Sequence, residues 1–229
     1  MRIILRLFFC FCCLFYSFEG YAKHYSSRQI EAYVNKTPNE AEDSVYALAK
    51  YLSKPFDEDY DKAKAIAFWI AGHIYYDDYL YNNGQTTRLI KSYKSQEPRE
   101  LLKSRVGLCG DFADLFNALC KKAGIRARRV SGFAYPAGRS LTLRDKQNSA
   151  HAWNYFYDGA KKIYVDTTFM AKGTTGASGR VNNLRHRRAL KEIKKDSQKH
   201  RAVNDFDTFY FDFDYKDEIQ KRHYRHKEK

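Results

Sequence analysis

The sequence predicts an α+β fold in which a helix that begins at a cysteine packs on an antiparallel β-sheet. Up to Gly124, apolar residues recur at helical spacing, whereas after Gly124 the chain alternates with the period of two that β-strands show. An Asp158-Gly159 pair between two alternating segments is a typical hairpin turn. The strands on either side of it are therefore expected to be antiparallel.

The first 22 residues have the composition of a secretory signal peptide. Two arginines precede an apolar run from Leu7 to Phe18, and Gly20-Tyr21-Ala22 offers small residues for cleavage. The run is shorter than the roughly 20 residues that span a bilayer. An uncleaved anchor, or a lipid on one of the cysteines in the run, is the alternative. We predict cleavage near Ala22 and an exported protein, periplasmic or secreted.

The segments that follow predict one domain, which starts with helices. Residues 23–36 are polar and predict a flexible lead-in to a domain over 37–172. Thr37-Pro38-Asn39-Glu40 has the pattern of a capping box with proline at the first helical position, so a helix is predicted to begin there. A second helix ends near His73, for which packing or capping is the simplest role. The aromatic segment 74–85 either packs or lines a substrate groove, and packing is the simpler explanation.

The stretch from Gly107 to Gly124 predicts a helix with Cys109 at its mouth, reached through a short helix over 98–104. Its apolar residues form one stripe that includes Cys120, and Gly124 supplies a left-handed cap. The unpaired N–H groups and the positive end of the helix dipole favour a thiolate at Cys109, so its pKa is expected to be lowered. Cys120 is expected to be an inert core thiol.

Cysteine usage supports a chemical role for Cys109. Signal-peptide cleavage removes three of the five cysteines and leaves Cys109 and Cys120, about 16 Å apart on one helix and so unable to pair. Two unpaired thiols are unusual in an exported protein. A catalytic nucleophile explains them, and two inert core thiols are the alternative.

The alternating segments bring a histidine and a carboxylate together. If Tyr157 pairs with Lys162 across the hairpin, Asp166 lies opposite Trp153 and next to His151 on the diagonal. His151 could then accept the thiol proton, and Asp166 could orient its ring. Taken singly, His151 could instead be structural and Asp166 a turn or capping residue.

These motifs resemble the transglutaminase-like superfamily. The family's G-x-C-x-x-x-A, H-A-W and V-D-T-T patterns are all present, and they imply a papain-like core with a Cys-His-Asp triad of Cys109, His151 and Asp166. The segments KAIAFWIAGHIYYD and FYFDFDYKDEIQKRHY are similar to the kyphoscoliosis-peptidase-like branch. That branch usually has a tryptophan–glycine motif after D-T-T, where this chain has Phe169-Met170-Ala171.

Residues 173–229 predict a basic C-terminal extension that packs in part on the domain. Gly173 to Gly179 predicts a flexible link, and Arg180 to Arg201 a basic, helix-like stretch in a chain of net charge +14. Such a stretch is usually a solvated face, and binding to an anionic envelope surface is the alternative. The sequence has no nucleic-acid module, phosphate loop, dinucleotide fingerprint or metal-ligand spacing, so no nucleic-acid partner, cofactor or metal is predicted.

Three functions are compatible with these features. The first is hydrolysis of a peptide or isopeptide bond through an acyl-cysteine, and the second is transfer of the same acyl group to an amine. The third is a non-catalytic binding module at the cell envelope that retains the fold. The complete set of triad residues favours an enzyme, because binding alone makes no demand on all three. The sequence leaves open the substrate and the second oxyanion donor.

Overall fold

The structure is a computed structural model that describes residues 24–83, 94–134, 150–176, 183–197, 205–213 and 223–225. The predicted signal peptide lies outside these ranges. In chain order they contain the helices α1 (Ser27–Val34), α2 (Val45–Ser53), α3 (Asp59–His73), α4 (Asp78–Asn83), α5 (Pro98–Ser104), α6 (Cys109–Lys122), α7 (Thr167–Met170) and α8 (Asn183–Ser197), the strands β1 (Tyr75–Tyr76), β2 (Val106–Gly107), β3 (Ala127–Ala134), β4 (Ala150–Asp158), β5 (Lys161–Val165) and β6 (His223–Arg225), and 3-10 turns at Asn39–Asp43 and Thr208–Tyr210.

Helix α3 lies at the centre of the helical layer, because most of its residues are apolar or small and are buried on every side. Helices α1, α2 and α6 pack against it. Helix α6 also packs on β3 and β4, so it joins the helices to the sheet. Its stripe of Phe112, Leu115, Phe116 and Leu119 is fully buried, as the helical spacing predicts.

The main sheet is antiparallel, with the strand order β5-β4-β3-β6. Tyr157 pairs with Lys162, which is the predicted hairpin register. One face of the sheet contributes Phe156, Ile163 and Val165 to the core shared with the helices. The other face carries a smaller cluster around Trp153. The predicted α+β fold, a cysteine helix packed on an antiparallel sheet, is confirmed.

A short parallel pair holds the approach to the cysteine helix. The N–H of Tyr75 donates to the Arg105 carbonyl at 2.8 Å, and the N–H of Asp77 donates to the Gly107 carbonyl at 3.0 Å. Since β2 ends two residues before Cys109, these bonds fix where α6 begins. They also place Tyr76 beside the cysteine end of α6.

The N-terminal residues differ from the predicted flexible lead-in, because residues 27–34 form helix α1. Ser26 and Gln29 make the reciprocal bonds of a capping box, and Ile30 and Val34 are buried in the core. The polar composition of 23–36 hid these two apolar residues, which lie one helical turn apart.

The predicted helix start at Thr37 is also wrong. The Thr37 hydroxyl donates backwards to the Val34 carbonyl at 2.6 Å, and a 3-10 turn follows over Asn39–Asp43. Helix α2 begins later, where the Ser44 hydroxyl accepts from the Ala47 N–H at 3.0 Å. Thr37 and Ser44 are both possible N-capping residues within eight positions, and the structure has Ser44 as the N-cap of α2.

The described residues of the C-terminal extension contact the domain at several places. Gly173 and Thr175 hydrogen-bond to both sides of the Tyr76 backbone, so the described part of the predicted link is not flexible. Phe211 lies in the main core, and Phe213 packs against Trp153 and its neighbours. Residues 183–197 of the predicted basic stretch form helix α8, and the rest of that stretch lies outside the described residues. None of the helices within the described ranges is both long and apolar enough to cross a membrane.

Candidate active site

The mouth of α6 is held by a buried carboxylate. Asp111 is 1% exposed and accepts from the N–H groups of Leu108 at 2.7 Å and Gln96 at 2.6 Å. A side chain on Gly107 would put its Cβ 2.7 Å from Asp111 Oδ2, closer than real Cβ contacts come. The glycine before the cysteine is therefore needed for this close approach, and it fixes the backbone at Cys109.

The other end of α6 matches the prediction for Cys120. Gly124 has φ +82°, and the N–H of Ile125 donates to the Cys120 carbonyl at 2.8 Å, which closes the helix. Cys120 is fully buried, and burial raises its pKa well above that of an ordinary thiol. Cys109 is half-buried, and both cysteines are free thiols. The two thiols therefore have different environments on one helix.

A buried asparagine joins the histidine strand to the cysteine helix. Asn154 in β4 is fully buried, and its amide donates to the Ala113 carbonyl of α6 at 3.0 Å. The bond fixes β4 along α6 and so sets the position of His151 relative to Cys109. Asn154 was not among the residues predicted from the sequence. Its position between two aromatic residues of a buried strand was the feature that could have indicated its role.

The three predicted triad residues lie together. His151 Nε2 is 2.6 Å from Asp166 Oδ2, and the His151 ring also hydrogen-bonds the Cys109 thiol. Because Nε2 contacts Asp166, Nδ1 is the nitrogen left for Cys109. Asp166 is fully buried, which keeps water out of its contact with the imidazole.

Asp166 is also a capping residue, so both of its suggested roles are present. Its Oδ1 accepts from the Phe169 N–H at 3.0 Å and caps α7, while Oδ2 contacts His151. The return strand, which was predicted to carry Asp166 opposite Trp153, ends at Val165, because this cap starts a helical turn. The Asp166 N–H donates to the Tyr210 carbonyl at 2.9 Å, so the C-terminal extension supports the carboxylate.

The electrostatics favour a thiolate–imidazolium pair. Burial works to raise the pKa of Cys109, but the hydrogen bond and charge of His151, with the Ala152 N–H, bring the pKa below its ordinary value. Burial works to lower the pKa of His151, but the charge and hydrogen bond of Asp166 raise it to about 10. Between these two pKa values the site holds a charged sulfur next to a charged ring.

Aromatic side chains enclose the His151 ring. Phe169 stacks on it at 4.5 Å with a 22° interplanar angle, and Trp153 lies at 6.0 Å on a nearly parallel plane. Tyr210 contacts Phe169 edge-on at 5.3 Å. A cation between aromatic faces is stabilised by the ring quadrupoles, which adds to the preference for imidazolium. Phe169 stands where the resembled branch has tryptophan.

Two other sequence expectations concern residues near the site. His73 stacks on Trp69 at 4.8 Å, and its Nδ1 lies 2.9 Å from the Trp69 carbonyl, in keeping with a packing role. The tyrosines of 74–85 were expected mainly to pack. Tyr76 and Tyr81 instead line a cavity that reaches His151, although Tyr76 also contacts Phe112.

Comparison with known proteins gives the family. The model of the transglutaminase-like superfamily matches residues 46–167, more than half of the chain. The chain belongs to the transglutaminase-like superfamily. The match includes the cysteine helix, the β-hairpin and all three triad positions, so it covers the elements that build the site.

Within the superfamily, the chain is similar to kyphoscoliosis peptidase, as its flanking segments suggested. The identity is 28% with the Homo sapiens protein and 29% with the Mus musculus protein, each over 126 residues. The match covers 53% of this chain and 17% of each relative. The chain thus spans about a sixth of the length of these relatives.

Among solved structures, the periplasmic domain of TgpA from Pseudomonas aeruginosa is similar at 17% identity. The match covers 75% of this chain and 52% of that domain, with a TM-score of 0.42.

Proposed function

We propose that this protein is a cysteine enzyme that acts on amide bonds of peptides or proteins through an acyl-cysteine intermediate. The observation that supports it best is the continuous contact from Cys109 through His151 to the fully buried Asp166. Burying a charged pair costs free energy that folding must offset elsewhere. A protein that only bound a partner would gain nothing from that cost, so the binding module is the weaker alternative.

The proposed first half-reaction transfers the acyl group to sulfur. The Cys109 thiolate attacks the amide carbon, and the carbonyl electrons move to the oxygen. The backbone N–H of Cys109, at a helix position without an intrahelical partner, donates to this oxyanion, a contact worth on the order of 3 kcal/mol. His151 Nδ1 then gives its proton to the departing nitrogen as the C–N bond breaks, leaving a thioester and a free amine.

The proposed second half-reaction restores the enzyme. Water or an acceptor amine gives a proton to neutral His151 and attacks the thioester carbon, and the sulfur leaves as the Cys109 thiolate. Asp166 stays ionised and holds the ring so that Nδ1 faces the sulfur in both steps.

A peptide assay tests this function. The purified protein is incubated with a glutamine-containing peptide and with an isopeptide-linked pair, with and without a primary amine. Conversion to acid or cleaved peptide indicates hydrolysis, and a gain of the mass of the amine less that of the ammonia released from glutamine indicates transfer. Cys109→Ala should abolish both reactions, whereas Cys120→Ala should keep them. Product formation by Cys109→Ala would refute the proposal.

Export is part of the proposal, because residues 1–22 have the pattern of a signal peptide. The mature chain should begin at or near Lys23. N-terminal sequencing of the protein recovered outside the cytoplasm tests this, and an intact Met1 on a membrane-bound product would exclude cleavage.

An anionic envelope surface is the proposed partner of helix α8. Its inner face packs through the buried Ile193, whereas Arg187, Arg188, Lys191 and Lys195 are exposed. Such a face attracts anionic headgroups, at about 1 kcal/mol per cation near the surface. Vesicles with anionic phospholipid should bind the protein in low salt and release it in high salt, and neutral vesicles should not bind it. Equal binding to both vesicles would exclude this partner.

A further inference from the structure

A cavity of about 340 Å³ opens beside His151. Its walls are the rings of Tyr76, Tyr81 and Phe169. Small side chains border the remaining space, namely Ala134, Ala150, Ala171, Thr168 and Thr174. Among the described lining residues, His151 is the one side chain that can carry a charge near neutral pH.

The composition of this lining selects for an uncharged guest. A buried Lys or Arg side chain of a substrate would lose its hydration without finding an opposite charge there, which costs several kcal/mol. An Asp or Glu side chain would find only His151, whose ring already contacts Asp166 and Cys109. Three aromatic walls offer favourable stacked and edge-on contacts to another ring. The alanines supply room, because a larger side chain at any of them would occupy the cavity.

The walls are held by the same elements that hold the triad. Phe169 stacks on His151, and its N–H is capped by Asp166. The backbone of Tyr76 hydrogen-bonds to Gly173 and Thr175 on either side of Thr174. The cavity is therefore formed before substrate arrives, so a guest does not have to order it.

We propose that this cavity is a specificity subsite that takes a large uncharged side chain, preferably aromatic, next to the amide that reacts at Cys109. The inference rests on the proposed function, since it names a substrate class for the same site. A peptide substrate should therefore have an aromatic or large aliphatic residue next to the reacting amide.

The test begins with a step that does not depend on the subsite. A small activated acyl ester, such as p-nitrophenyl acetate, should acylate Cys109 in the purified protein. A peptide library then varies the residue on each side of the reacting amide among Phe, Leu, Ala, Lys and Glu. Phe should exceed Ala in kcat/KM by on the order of 10- to 200-fold at one of the two positions, with Lys and Glu at or below Ala.

Cavity-filling variants locate the preference. Ala150 is exposed at the start of β4 and Ala171 is half-buried, so Ala150→Leu and Ala171→Leu can fill the cavity from its border without entering the core. Each should lower the Phe/Ala ratio of kcat/KM by at least tenfold. Ala160→Leu is the matched control, because Ala160 is an exposed alanine in the turn at the other end of the same hairpin.

The outcomes separate this inference from the proposed function. No acylation of Cys109 by the small ester would overturn the enzyme proposal itself. Acylation without a side-chain preference, or a preference that all three variants retain, would overturn the subsite alone. A preference for Lys or Glu would also overturn it, because the one charged group among the described lining residues is His151, which is already paired with Asp166 and Cys109.

Discussion

Replacing His151 with glutamine should separate the two roles that it has toward Cys109. Glutamine keeps a donor for Asp166 Oδ2 but cannot carry a positive charge, so the buried carboxylate keeps a partner while the thiol loses its cation. The pKa of Cys109 should then rise to that of an ordinary thiol or above it, because burial and the Asp166 charge raise it, and the hydrogen bond and charge of His151 are what lower it.

The size of the effect follows from the thiolate fraction. A thiol with the ordinary pKa of about 8.5 is only about 0.3% ionised at pH 6, so retaining a full thiolate gains up to about 300-fold. A thiolate of lower pKa is also less nucleophilic, which cancels about half of the logarithm of that rate gain. Iodoacetamide should therefore alkylate Cys109 on the order of 10–20-fold faster in the wild type than in His151→Gln at pH 6.

The same reasoning predicts that the two rate profiles cross. Once the pH exceeds the raised pKa of the variant's Cys109, that thiol is ionised too and is the more basic nucleophile, so the variant should react at least as fast as the wild type. Peptide mapping after timed alkylation measures both rates. Cys120 should stay unlabelled until unfolding because it is fully buried. His73→Gln is the matched control and should leave the profile unchanged; equal, slow labelling of both cysteines in the wild type would refute the ion pair.

Four further substitutions have defined outcomes. Asp166→Asn should keep the fold, checked by circular dichroism, but lower kcat/KM by on the order of 10⁴-fold, because the imidazole loses its preferred tautomer. Gly107→Ala should cost about 1–3 kcal/mol in urea unfolding, since its Cβ would meet Asp111 at 2.7 Å; Gly124→Ala, with open space but φ +82°, should cost only about 1–2 kcal/mol. Asn154→Ala should destabilise by about 0.5–1.5 kcal/mol, because it removes the buried side-chain hydrogen bond to the Ala113 carbonyl of α6, and a neutral result would show that this bond does not fix β4.

Local patterns predicted the centre of the site. Helical spacing, a glycine cap and a hairpin signal are decided by neighbouring residues, so α6, the β4–β5 register and the contact between His151 and Asp166 could all be derived from the sequence. The family match then rests on the same segments. The hairpin turn fixes the register, and strand alternation then predicts that His151 and Asp166 are close enough to contact each other.

Long-range contacts could not be predicted in this way. The polar segment that forms α1 is helical because Ile30 and Val34 pack in the core. The residues they pack against are distant in sequence, so the segment itself does not predict this packing. The same holds for the support of Asp166 by Tyr210, which lies 44 residues further along the chain. Local patterns also failed where two signals competed, as with the capping residues Thr37 and Ser44.

The role of Cys109 as nucleophile is tested most directly by the intact mass of the protein during reaction with substrate. Asp166→Asn should slow release of the acyl group, so intact-mass spectrometry of this variant quenched during reaction with an activated acyl ester should find one added acyl group. Peptide mapping should place it on Cys109, and the double variant Cys109→Ala/Asp166→Asn should carry none. Turnover with no adduct at Cys109, or an adduct on Cys120, would contradict the central claim that Cys109 is the nucleophile.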